Sequence, residues 1–70
     1  MNRISVSSSD LASVGYDVAQ QILEIEFHTG GVYQYYDVPE SEYDGLMSAG
    51  SHGQYFHQHI KDVYTYRKIS

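Results

Sequence analysis

The sequence contains no cysteine, which excludes disulfide bonds and thiolate metal sites. It also lacks an apolar stretch near the roughly 20 residues that a membrane-spanning helix requires. The first residues, Met1 to Ile4, do not form the apolar core of a secretory signal peptide. With 70 residues, the chain is therefore expected to be one cytoplasmic domain with no membrane segment.

Basic residues are scarce. Four Lys and Arg residues stand against nine Asp and Glu residues, and the formal net charge is −5. Phosphate-driven binding needs clustered cations, so the overall charge argues against a dedicated nucleic-acid binder. Three of the four cations nevertheless lie within the last ten residues, namely Lys61, Arg67 and Lys68. A local basic patch is therefore predicted at the C-terminal end.

Aromatic residues are abundant, with eight tyrosines, two phenylalanines and no tryptophan. Alternation of apolar and polar residues predicts strands over residues 12–19 and 22–28. In the second of these, Leu23, Ile25 and Phe27 share the buried face. Glu24 and Glu26 alternate with them and are predicted to face solvent.

The segment Thr29-Gly30-Gly31 predicts a three-residue hairpin loop with a glycine in the left-handed region. This loop would place Phe27 opposite Tyr33, and it would turn Tyr33 and Tyr35 toward the buried face. A two-residue loop at 29–30 would instead turn both tyrosines outward. We favour the three-residue loop because it gives the larger buried surface.

Two short helices are predicted after the hairpin. Pro39 suits the first turn of a helix and Gly50 suits its C-terminal cap. Ser51 and Gln54 have the spacing of a capping box and predict the start of a second helix. The tail over residues 63–69 is rich in β-forming residues and predicts a last strand.

The predicted element order is β-β-β-α-α-β. Short connections make the first strands antiparallel, so we expect an α+β domain with a sheet of about four strands and both helices packed on one face. The last strand is expected to return beside the first. We therefore predict one domain over residues 1–70, with its core over residues 5–69. Ile4 and Val6 suit either a short strand or an edge contact.

A set of short motifs runs in order along the chain. They are Val14-Gly15-Tyr16, Leu23-x-Ile25-x-Phe27, Gly30-Gly31 followed by Tyr33-x-Tyr35, Val38-Pro39, Ala49-x-Ser51-x-Gly53-x-Tyr55-Phe56, and Ile60-Lys61-x-x-Tyr64.

Together these motifs resemble the KTSC domain, and the resemblance covers about residues 5–69. The resemblance implies a small bacterial or phage domain, either stand-alone or joined to the C-terminus of some lysyl-tRNA synthetases. RNA binding is the activity suggested for the family, and no catalytic residues can be carried over from it. His57 stands where an asparagine is expected in relatives.

Six residues form the predicted ligand or anion site. Ser51 and Gly53 begin the second helix, where free N–H groups and a partial positive charge can hold a phosphate or carboxylate; the alternative is a plain helix cap. Lys61 lies about two and a half turns further on, too far to touch the same anion. The remaining three residues are in the tail: Tyr64, Tyr66 and Arg67.

The rings of Tyr64 and Tyr66 could stack on bases of single-stranded nucleic acid, with Arg67 and Lys68 on the phosphates. The alternative is that the strand alternation buries these rings.

No cofactor, metal site or catalytic site is predicted. His52, His57 and His59 lack the spacing of zinc ligands. No nucleophile motif occurs, and the pair Glu40 and Glu42 suits the positive end of a helix dipole.

We therefore expect a non-catalytic binding or accessory module, with RNA or another anion as its partner. The alternative is a protein-interaction or self-association module that uses a sheet edge.

Overall fold

The computed structural model describes all 70 residues. Five strands form one antiparallel sheet in the order β1-β2-β3-β4-β5. The strands are β1 Ile4–Ser5, β2 Leu11–Asp17, β3 Ile22–Phe27, β4 Val32–Tyr35 and β5 Tyr66–Lys68. Between β4 and β5 lie helix α1 (Glu40–Ser48), the short helix α2 (His52–Tyr55) and a π-helical segment (Phe56–Ile60) that continues α2.

The α+β class is confirmed, and the sheet has one strand more than predicted because Ile4 and Ser5 pair with Val14 and Ser13. The last strand does not return beside the first. Since β1 occupies the free edge of β2, β5 pairs with β4 instead. This places the C-terminal strand at the sheet edge that lies next to the β3–β4 hairpin.

The β3–β4 hairpin has a three-residue loop, but the loop is His28-Thr29-Gly30. Phe27 N–H donates to Gly31 O at 2.9 Å, and Gly30, with a φ of 107°, supplies the left-handed position. Tyr33 therefore lies opposite Ile25 and not opposite Phe27. The shift is by two residues, so the predicted face of Tyr33 and Tyr35 is correct.

One hydrophobic core lies between the sheet and the helices. Leu46 of α1 and Phe56 and Ile60 of the π-helical segment pack on the inner face of the sheet. The other buried members are Leu11, Val14, Leu23, Ile25, Tyr35 and Val38. Both helices therefore cover the same face, as predicted.

Two strand ends differ from the prediction. β2 begins at Leu11, which is fully buried, and a bulge at Ala12 separates it from the rest of the strand. The predicted continuation through Val18 is wrong, since Val18 lies in the turn and is 61% exposed. The predicted start of the last strand at Val63 is also wrong, because Val63 lies in a turn after Ile60.

Helix ends follow the prediction at α2 and not at α1. Ser51 Oγ accepts a hydrogen bond from Gln54 N–H at 3.2 Å, the expected N-cap of α2. The C-cap of α1 is Ala49, whose N–H donates to Leu46 O, so Gly50 lies one residue beyond the cap.

Candidate functional site

The tyrosine hydroxyls divide into two groups. Those of Tyr16, Tyr36, Tyr55 and Tyr64 donate hydrogen bonds to protein acceptors. The hydroxyls of Tyr33, Tyr35, Tyr43 and Tyr66 make no such bond, and no buried side-chain polar atom of the chain lacks a partner. These four hydroxyls are therefore not buried, although the Tyr35 residue as a whole is.

Three of these four tyrosines, Tyr33, Tyr35 and Tyr66, line an aromatic groove of about 310 Å³, whereas Tyr43 stacks on Tyr16. Tyr66 on β5 lies 5.6 Å from Tyr35 and 5.9 Å from Tyr33, between ring centroids. Phe27 and Phe56 complete the apolar lining. Strand pairing builds this arrangement, because Tyr35 and Tyr66 are direct cross-strand partners on the inner face.

Polar side chains surround the aromatic groove. Thr29, His57, Lys61 and Asp62 line it. Lys68 lies beside it, opposite Tyr33 in the strand register, with its Cε 3.7 Å from the position that a Cβ would take at Gly31. The groove therefore offers two ammonium groups and one carboxylate near exposed aromatic surface.

Burial is the main reason that the pKa of Tyr35 is raised, to about 12, and the neighbouring Tyr33, Tyr66 and Asp62 add to the effect. Asp62 and Tyr35 both line the aromatic groove. A neutral phenol that stays protonated to high pH can donate a hydrogen bond into the aromatic groove throughout the physiological range.

Lys61 and Asp62 are held by a tight turn at the end of the π-helical segment. Lys61 has φ −60° and ψ 132°, Asp62 has φ 65°, and Val63 N–H donates to Ile60 O at 3.1 Å. These angles are those of a type II β-turn, in which the third position favours Gly or Asn. Asp62 occupies that position, so the turn fixes the backbone from which its side chain extends.

A second set of polar contacts ties the helices together. Glu42 accepts hydrogen bonds from Tyr55 at 2.6 Å and from Tyr64 at 2.9 Å. The bond to Glu42 raises the pKa of Tyr55 to about 12, with burial adding to it. Burial and then the same carboxylate raise the pKa of Tyr64. Glu42 therefore joins α1 to α2 and to the loop before β5.

The outer face of the sheet carries an ion pair whose carboxylate is buried and whose arginine is partly exposed. Arg3 Nη1 lies 2.5 Å from Glu24 Oε2, and Gln34 Nε2 donates to Glu24 Oε1 at 2.9 Å. Burial alone would raise the pKa of Glu24, but the hydrogen bonds from Gln34 and Arg3 and the charge of Arg3 bring it below the ordinary value. The prediction that Glu24 faces solvent is wrong, because residues 1–3 cover it.

The structure brings only part of the predicted site together. Lys61 and Tyr66 both line the aromatic groove. Arg67 pairs with Gln34 and lies on the opposite face of the sheet. The Tyr64 hydroxyl is bonded to Glu42, on the α1 side.

Ser51 and Gly53 lie apart from the aromatic groove. A Cβ placed on Gly53 would meet Asp10 Oδ2 at 3.3 Å and Ser8 Oγ at 3.7 Å. The start of α2 therefore faces one of the protein's own carboxylates, which also accepts from His57 Nε2 at 3.2 Å.

Sequence reasoning missed Asp62, Phe27 and Phe56 as groove residues. No glycine or asparagine marks the turn at Asp62, so no signal was available there. Phe56 was identifiable only as part of an apolar helix face. The resemblance singled out position 57, and His57 does line the groove.

The remaining histidines have separate partners. His28 Nε2 donates to Ser8 O, and His52 Nδ1 donates to Leu46 O. The ring of His59 lies against that of Tyr55, with 4.3 Å between ring centroids and 32° between ring planes. The chain has no group of three His, Cys, Asp or Glu side chains placed to hold a metal ion. None of its helices has the length and apolar character to cross a membrane.

These features define a small α+β domain with an aromatic groove between its edge strand β5 and its π-helical segment. The chain belongs to the KTSC domain family, whose model matches residues 7–64. The crystal structure of a KTSC domain protein from Yersinia pestis is 45% identical, with a TM-score of 0.97, covering 99% of this chain and 97% of that chain.

Relatives include both small proteins and a much longer enzyme. A protein of Stutzerimonas stutzeri is 44% identical over 70 residues, 99% of both chains. A lysine–tRNA ligase of Trichormus variabilis is 42% identical over 55 residues, which make up 79% of this chain and 10% of that enzyme.

Proposed function

We propose that this chain is a non-catalytic module that binds single-stranded RNA in its aromatic groove. Bases stack on the exposed ring of Tyr66, and Lys61 and Lys68 contact the flanking phosphates. Stacking on aromatic rings is a sequence-tolerant way to hold unpaired bases.

The observation that carries this proposal is the exposure of Tyr66. Its residue surface is 56% exposed although its ring packs beside Tyr33 and Tyr35. An aromatic ring held by neighbours on one side and open on the other offers a rigid platform. Such a platform stabilises a stacked base with little loss of side-chain entropy.

The distribution of charge supports an anionic partner despite the net charge of −5. Arg3 is neutralised by Glu24, so the other three cations, Lys61, Arg67 and Lys68, remain near β5. Asp17 ends β2, Glu40 and Asp44 lie on α1, and their charges add to the effect of burial in raising the pKa of Tyr16. These three of the nine acidic residues therefore lie away from β5, and Asp62 is the one that lines the aromatic groove.

The relatives support RNA as the class of partner. A similar segment makes up about a tenth of an enzyme whose name specifies tRNA. A small accessory domain that binds RNA would suit such an enzyme.

Tyr66→Ala should weaken binding of short single-stranded RNA about 5- to 150-fold, since stacking one base contributes about 1–3 kcal/mol. Fluorescence anisotropy at low salt measures the affinity. With two lysine–phosphate contacts, the slope of log affinity against log salt should be about −1.4.

Neighbouring residues on opposite faces of β5 provide the matched control. Lys68→Glu should weaken binding strongly, whereas Arg67→Glu makes the same change of charge on the other face and should have only a small long-range effect. Equal losses in the two variants would contradict a groove site, and no detectable RNA binding at low salt would contradict the proposed function.

A second candidate function uses the free edge of β5. Thr65 and Ile69 direct backbone groups to β4, so by alternation the N–H and C=O groups of Tyr66 and Lys68 point outward. Another strand could pair there, although an edge lysine often protects against such pairing.

Light scattering across a range of concentrations tests the self-association form of this alternative. A mass that rises from monomer to dimer with concentration would support edge pairing between copies. A constant monomer mass would contradict it.

A further inference from the structure

We propose that the aromatic groove prefers guanine over the other RNA bases, and that the carboxylate of Asp62 makes this selection. The inference rests on the proposed RNA-binding function and adds the chemistry of the base. Asp62 is not among the six residues of the site predicted from the sequence.

The aromatic groove contains one carboxylate. Among the residues that line it, Thr29, His57, Lys61 and the tyrosines all carry side chains able to donate hydrogen bonds, and Asp62 alone is acceptor-only when ionised. A ligand in the groove that presents two donors side by side is therefore matched only at Asp62. The groove volume of about 310 Å³ is at the low end for small-molecule sites, which suits a single base.

Guanine is the RNA base that fits this arrangement. Its Watson–Crick edge carries adjacent N1–H and N2–H donors, which the two oxygens of a carboxylate can accept together. Adenine and cytosine present one amino group beside a ring acceptor, and uracil presents one donor between two carbonyl acceptors. Each of these other edges brings a lone pair against the negatively charged oxygen atoms, which is unfavourable.

Lys61 and Asp62 are adjacent in the same tight turn, so their backbone positions are coupled. Lys61 can hold the phosphate of the nucleotide whose base Asp62 contacts, while Tyr66 supplies the stacking surface. These three side chains provide a phosphate contact, an edge contact and a face contact to one nucleotide.

The turn geometry also provides a clean test variant. The φ of 65° at Asp62 is one that asparagine adopts readily, and Asn is favoured at this position of a type II turn. Asp62→Asn therefore keeps the backbone and the side-chain shape while it replaces one carboxylate oxygen by a donor. Asp44→Asn, an exposed change on α1, is the control for loss of one negative charge.

The experiment compares uracil-rich RNA oligonucleotides that carry one guanosine, inosine, adenosine or cytidine at the centre, measured by fluorescence anisotropy. The wild-type protein should bind the guanosine oligonucleotide about 5- to 150-fold more tightly than the others. Inosine lacks the 2-amino donor and should lose most of this preference. Asp62→Asn should abolish the preference, and Asp44→Asn should retain it.

The two proposals fail in different ways. Equal affinity for all four oligonucleotides, with binding still dependent on Tyr66, would overturn guanine selection and leave RNA binding intact. A guanine preference that persists in Asp62→Asn would also overturn the role of Asp62. Absence of binding to every oligonucleotide would overturn both proposals.

Discussion

Phe56→Ala should leave a large fraction of the protein unfolded at 25 °C. Phe56 is 3% exposed and makes edge contacts with Phe27 and Tyr35, with ring centroids 5.3 and 5.5 Å apart. Truncation of a buried phenylalanine costs about 3–5 kcal/mol. A domain of this size rarely has more than about 3–5 kcal/mol of stability from its core, so little would remain.

Urea unfolding followed by circular dichroism measures this loss. Phe56→Leu is the matched control, because it keeps most of the buried volume and should cost about 1 kcal/mol. A Phe56→Ala protein that unfolds at nearly the wild-type urea concentration would show that the helix does not depend on this ring for its place on the sheet.

Arg3→Met should reduce the free energy of unfolding by about 2 kcal/mol at pH 7. The Arg3 and Glu24 side chains are 31% and 8% exposed, so the change leaves a buried carboxylate without its cation. Breaking a fully buried pair costs about 3–5 kcal/mol. The value here is lower because Arg3 is partly exposed to solvent and Gln34 still donates to Glu24.

The pH dependence of this loss follows from the lowered pKa of Glu24. Its ordinary value is 4.5, and the folded value lies below that. The ionised carboxylate therefore favours the folded state above about pH 4.5, and this contribution is lost as the pH falls through the folded pKa. In Arg3→Met the folded pKa rises, so the contribution is smaller and acid unfolding begins at higher pH.

A double-mutant cycle with Glu24→Gln isolates the interaction between the two side chains. Arg67→Met is the control for loss of an arginine on the same face of the sheet, where Arg67 is exposed, and should change stability by less than about 0.5 kcal/mol. If Arg3→Met and Arg67→Met had equal effects at pH 7, the ion pair would contribute nothing beyond surface charge.

The face of the sheet on which each side chain of β3 and β4 lies could be predicted from the sequence, but the exact residue pairing could not. Alternation at Leu23, Ile25 and Phe27 fixes which side chains face the core, and an odd loop length keeps Tyr33 and Tyr35 with them. Moving the three-residue loop by one position along the chain shifts the strand pairing by two residues. Each side chain then stays on the same face of the sheet. The hydrophobic pattern does not distinguish these two registers.

Long-range pairing was the least predictable part of the fold. The position of β5 depends on which sheet edge is free, and the two-residue strand β1 decides this by covering β2. So short a strand leaves almost no periodic signal. The burial of Glu24 depends on the same N-terminal segment and was missed for the same reason.

The candidate site also divides into residues that could be predicted from the sequence and residues that could not. Lys61 and Tyr66 could be found from composition, since they are a cation and an aromatic residue in the one basic part of the chain. The face on which Arg67 lies and the partner of the Tyr64 hydroxyl depend on tertiary contacts with Gln34 and Glu42. Asp62 depends on a turn whose usual sequence signature is absent.

The three-residue strand β5 contributes Tyr66 to the aromatic groove and has a neighbouring strand on only one side. Separation of the last residues from β4 therefore removes Tyr66 from the groove. Ligand binding in the aromatic groove and pairing of β5 with β4 are therefore coupled equilibria. A ligand bound in the groove should therefore stabilise the pairing of β5 with β4. The amide hydrogens of Arg67 and Ile69 should then exchange more slowly with solvent.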